Sequence, residues 1–126
     1  MSEQVQDKLR YTVDYFKVYA ALINAAEHRG LVTYQEIAEI MGLPSKGAYM
    51  GAAVGRMIGV ISEDEVRHGR PMLSALAVGV NGKPGKGFFT WARELGKLHS
   101  DDPEEEERFW EEEKQALYQV WRKKFK

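Results

Sequence analysis

The chain has 126 residues, a formal net charge of −1, three histidines and no cysteine, a length that supports one domain with a single modest core. Without cysteine there is no disulfide framework, no thiolate nucleophile and no Cys-ligated zinc. No apolar run reaches the roughly 18 residues of a membrane span, and the polar start MSEQVQDKLRY lacks the apolar stretch of a secretory signal, so a cytoplasmic protein is expected.

Apolar residues Val5, Leu9, Val13, Phe16, Tyr19, Ala20, Ile23 and Ala26 recur at helical steps and predict one helix over residues 5–28, closed by Arg29-Gly30. Tyr11, Tyr15 and Tyr19 add a second stripe, which either flanks the core or offers a stacking platform. Thr33 and Glu36 form a capping box, with Val32 and Ile37 in the hydrophobic-staple positions. They start a short helix that turns Ile37, Ala38 and Met41 inward and stops at Gly42.

After the turn Leu43–Gly47, a second helix is expected from about Ala48 to Ile61, with Gly51, Gly55 and Gly59 inside it. Each interior glycine costs about 0.5–1 kcal/mol relative to alanine, so the three need a reason. Close approach supplies one, either to another helix or to a nucleic-acid backbone. Ala53, Met57 and Val60 share the expected core side. Arg56 borders that side and reaches solvent, or pairs with Glu63 or Asp64. Ser62 to Glu65 reads as a second capping box that restarts a helical turn.

From Pro71 the pattern changes. Met72 to Val80 reads as a buried strand, Asn81-Gly82 as a hairpin turn, and Gly87-Phe88-Phe89 as a returning strand. The intervening loop, with Lys83 and Lys86, can lie along phosphates or form an exposed tip. A short helix capped by Thr90 follows, then a last helix opening at Pro103. Glu104 to Glu107 at its start and Arg122 to Lys124 at its end match the helix dipole. Phe109, Trp110, Leu117, Val120 and Trp121 give it an apolar stripe.

Residues 45–100 carry eight basic against four acidic residues, a balance of +4, while the two flanks are acidic. That asymmetry points to a polyanion partner at the centre of the chain. His28, His68 and His99 have no metal-site spacing, and no nucleophile stands in a dyad pattern.

The elements describe one domain over 1–126, mainly α with a small β-hairpin. It is a winged helix-turn-helix core over 30–98 between a long N-terminal helix (1–29) and a long C-terminal helix (101–126). Such a fold is most often used to place a helix in a DNA groove. The expectation is a non-enzymatic nucleic-acid-binding protein, with DNA ahead of RNA, no catalytic residue, no metal and no cofactor. Its candidate contacts are Tyr34, Lys46, Arg56, Arg67, Arg70, Lys83 and Lys86. A protein-interaction module is the alternative, favoured if Phe109, Trp110 and Trp121 form an exposed patch.

Gly30, Val32-Thr33-Tyr34, Glu36-Ile37-Ala38, Met41-Gly42, Ala53-Val54-Gly55-Arg56, Pro71 and Gly82 to Gly87 carry a resemblance. In that order they resemble the C-terminal domain of the alkylguanine-DNA alkyltransferases and alkyltransferase-like proteins, over about residues 30–88. The resemblance implies a winged helix whose second helix enters the minor groove. It places the acceptor cysteine near Leu76, with Ala77-Val78 in place of His-Arg, and the groove-intercalating arginine near Ala52. Arg56 matches the second basic position. With no thiol in the chain, irreversible alkyl transfer is excluded and DNA contact is what carries over.

Overall fold

The computed structural model describes residues 8–122. Val5 of the expected first helix, and Lys123 and Lys124 after the last one, lie outside the described residues. Helix α1 spans Val13–Glu27 and opens where Thr12 Oγ1 accepts the amide proton of Tyr15 at 3.1 Å. Just before it Tyr11 has φ +62°, so the helical pattern of residues 5–28 is broken at Tyr11-Thr12.

Strand β1 (Val32–Thr33) leads into α2 (Tyr34–Ile40), whose capping box forms as expected. Thr33 Oγ1 accepts from the Glu36 amide and donates to the Glu36 carboxylate, each at 3.1 Å. The stapling residues Val32 and Ile37 are both buried. Gly42, at φ +70°, closes α2 while the Leu43 amide reaches back to Ala38 O at 2.8 Å.

Helix α3 (Ala48–Arg67, 20 residues) is the spine of the molecule and packs against α1, α2 and the segment after it. It does not restart at Ser62. That residue is fully buried inside the helix, where its hydroxyl donates to Ser74 Oγ at 2.7 Å and accepts the Ser74 amide at 3.0 Å.

The buried strand expected over Met72–Val80 is instead a 3₁₀ turn, Leu73–Leu76, followed by the two-residue strand β2, Ala77–Val78. Burial was legible because the run is apolar; conformation was not, since a continuous apolar run has no period. The segment's backbone groups find partners on other elements. The Met72 amide donates to Glu113 Oε2 at 2.9 Å, and Ala75 O accepts Trp110 Nε1–H at 2.8 Å.

The expected antiparallel hairpin is absent among the described residues. Strand β2 pairs in parallel with β1, in the register Val32–Ala77 and Thr33–Val78. The Asn81-Gly82 turn folds the loop onto itself, with Gly79 N–H donating to Lys83 O at 2.9 Å. No strand returns: the chain enters α4 (Lys86–Glu94), which buries Phe88 and Ala92 one helical turn apart. Helix α5 (Pro103–Val120) has Pro103 in its first turn beside Glu104–Glu106 and buries Trp110, Glu113, Leu117 and Tyr118. One buried cluster joins all five helices, with Leu22, Ile37, Met57, Ile61, Leu73 and Leu117 among its enclosed side chains.

Candidate nucleic-acid interface

The two halves of α3 have opposite environments. Along the first half, Met50, Ala53, Val54 and Met57 face the core, as helical spacing predicts. The other side is bare. Ala48, Tyr49, Gly51 and Ala52 are exposed, and Gly55 and Arg56 partly so. A Cβ added at Gly51 or Gly55 would meet nothing within 4 Å, whereas one at Gly59 would lie 2.3 Å from the Trp91 ring. Internal packing therefore explains Gly59 alone.

Beside this face lies a cleft of about 240 Å³. Gly51, Gly55 and Ile58 of α3 form one wall, while Tyr34, Phe88 and Trp91 supply aromatic surface and Ser74 a hydroxyl. Gly85 and Gly87 complete the rim, and Lys86 stands between them. Tyr34 is fixed by its hydroxyl oxygen, which accepts the Gly85 amide proton at 2.6 Å. A Cβ at Gly85 would press to 3.1 Å from that oxygen, so glycine permits the contact. Burial pushes the Tyr34 phenol above its usual pKa, against the opposing effect of the Gly85 amide. Among the described residues no histidine or carboxylate lines the cleft. Its size suits one planar ring system rather than an extended ligand.

Of the seven candidate contacts, the side chains of Lys46, Arg56 and Lys86 make no hydrogen bond or ion pair with another described residue. Arg56 does not pair with Glu63 or Asp64, which have other partners. No Asp or Glu occurs in the sequence between Glu39 and Glu63, so the first half of α3 itself carries basic but no acidic side chains.

The second half of α3 binds its charges internally. Arg10 donates to Glu63 at 2.7 Å and to Asp64 at 2.9 Å, and Arg67 donates to Glu63 at 2.6 Å. Tyr15 donates to Asp64 at 2.7 Å, and Tyr19 donates to Glu65. The Glu65 side chain is fully enclosed and takes two hydrogen bonds from Arg70. Burial, reinforced by Glu65, pushes the Tyr19 phenol up to about 12. Tyr15 shifts in the same direction through burial and Asp64, and the Glu65 contact holds Arg70 more firmly protonated. The tyrosine stripe thus flanks the core at Tyr15 and Tyr19, while Tyr11 remains exposed against the Tyr15 and Phe16 rings.

Arg67 and Arg70 are accordingly committed to α3's own carboxylates. Lys83 is tied to Glu107 at 3.0 Å and lies over the Trp110 ring at 5.1 Å, which anchors the loop to α5. Among the basic candidates, the side chains of Lys46, Arg56 and Lys86 thus differ from those of Arg67, Arg70 and Lys83 in having no ion pair with a described residue. Phe88, Trp91 and Ser74 were missed as cleft residues. No local pattern marks them, because α4 and the 3₁₀ turn meet α3 only in three dimensions.

The aromatic stripe of α5 does not form an exposed patch. Trp110 is buried, and Phe109 and Trp121 are partly buried against the core. Among the described residues no group of three or more His, Asp or Glu side chains is placed to hold a metal. No described helix is long and apolar enough to cross a membrane. Searched against protein-family models, curated proteins and solved structures, the chain returns no match.

Proposed function

We propose that this is a non-enzymatic DNA-binding protein in which α2 and α3 act as a helix-turn-helix. The bare side of α3 lies in a groove, and the Gly79–Gly85 loop stands where a winged helix carries its hairpin. Lys46, Arg56 and Lys86 contact phosphates or a groove edge. The observation that carries this reading is the pair Gly51 and Gly55. Two glycines inside a helix, with open space beyond both, give up stability that no internal contact explains. A smooth surface flanked by unpaired cations lets a backbone approach closely. The neighbouring cleft has the aromatic walls to receive one unstacked base. The alkyltransferase-like resemblance supports the same placement of α3, and the lack of a thiol supports binding without alkyl transfer.

A specific observation favours a second reading, a protein-docking module. Tyr11, Val13 and Phe16 are exposed by 67%, 69% and 55% at the start of α1, and such a cluster suits a protein surface. Titration by fluorescence anisotropy against duplex DNA, single-stranded DNA and RNA at two salt concentrations separates the readings. Salt-sensitive DNA binding, weakened by Arg56→Ala and by Gly55→Leu with no loss of melting temperature, is expected. A protein that binds no nucleic acid at low salt would defeat the proposal and promote the docking module.

A further inference from the structure

We infer that Tyr49 is a base-stacking residue, and that the DNA favoured by this protein therefore presents an accessible base face, as at an unpaired or easily unstacked nucleotide. The inference rests on the DNA-binding reading above. Tyr49 is 67% exposed on the bare side of α3, and no ring contact or hydrogen bond with another described residue holds it. Among the described residues the other two strongly exposed aromatics, Tyr11 and Phe16, stack on each other with centroids 6.1 Å apart. Around Tyr49 the helix surface is stripped to Ala48, Gly51, Ala52 and Gly55.

A face smoothed for close approach tolerates one large flat projection only if the partner offers a slot for it. In a nucleic acid that slot is the space against a base, and stacking there is tolerant of sequence because every base has a π face. Charge complementarity selects this occupant. Arg56 lies seven residues after Tyr49, two helical turns along the same side of α3, and Lys46 stands in the turn that leads into the helix, with no acid in the sequence between Glu39 and Glu63. Arg56 on the helix, and Lys46 in the turn before it, supply the charge to hold the strand on which Tyr49 stacks.

The test uses the full chain and two probes. One is a perfect duplex; the other is the same duplex with a single unpaired 2-aminopurine, whose fluorescence reports stacking. The wild-type protein is expected to bind the bulged duplex more tightly and to change its 2-aminopurine emission. Tyr49→Ala should lose about tenfold or more in affinity for the bulged duplex at unchanged melting temperature, with the emission change abolished. Tyr49→Phe should stay within about twofold of wild type, since the ring and not the hydroxyl stacks. If Tyr49→Ala behaves as wild type on both probes, the inference is overturned while DNA binding stands. Equal losses in Tyr49→Ala and Tyr49→Phe would also overturn it, in favour of a hydroxyl contact. A wild-type protein that binds neither probe at low salt overturns the DNA-binding reading itself.

Discussion

The two halves of α3 use the same helix for opposite ends. Residues 48–59 expose small side chains and leave Arg56 without an ion pair to any described residue, whereas residues 60–67 enclose three consecutive acidic residues within a cage of Arg10, Tyr15, Tyr19, Arg67 and Arg70. Charge by itself therefore says little about function. Arginines counted equally in the sequence differ by whether a carboxylate has already claimed them, and only unclaimed ones are available to a polyanion without first breaking a contact.

The largest effect expected from that difference concerns Arg70 against Arg56. Arg70→Ala leaves the enclosed Glu65 carboxylate with Tyr19 as its remaining side-chain donor. The loss should be about 2–3 kcal/mol of stability, below the usual range for a broken buried pair because Arg70 itself is partly solvated. Arg56→Ala should leave the melting temperature unchanged and reduce DNA affinity. Chemical denaturation together with anisotropy checks both, and a stability loss at Arg56 would show that the bare half is not bare.

The glycines sharpen the contrast one helical turn at a time. Gly59→Ala drives a methyl into the Trp91 ring and should cost about 1–3 kcal/mol. Gly55→Ala has open space and should gain about 0.5–1 kcal/mol from helix propensity. Opposite signs in two thermal melts are the expected result; matching losses would mean that Gly55 is packed.

Salt dependence gives a smaller but cleaner difference. Lys46→Ala, Arg56→Ala and Lys86→Ala should each flatten the slope of log affinity against log salt by about one unit. Lys83→Ala should change it less, since Glu107 already holds that ammonium. An equal change at Lys83 would bring the loop tip into the interface.

The smallest effect lies in the pH dependence of the caged half. The Tyr19 phenol is raised in the folded protein to about 12 from 10.0, so folding favours the protonated form. Its contribution is complete below pH 10 and is lost as pH rises through about 12. Tyr19→Phe should make the fall in melting temperature between those values shallower.

Features whose interactions span only a few residues could be read from the chain. The Thr33 cap, the Val32–Ile37 staple, the Gly42 stop, the core side of α3 and the acidic start of α5 all formed where their spacing placed them. Each is governed by neighbours within one or two helical turns. The rest depends on contacts between distant parts of the chain. Pro71–Val78 is a 3₁₀ turn and a parallel strand because Glu113 and Trp110, more than thirty positions away, satisfy its backbone. Phe88 belongs to a helix, α4, that packs against α3. Which cation is free was equally illegible: Arg10 meets Asp64 across 54 residues of chain, and no local pattern encodes a pairing made by the fold.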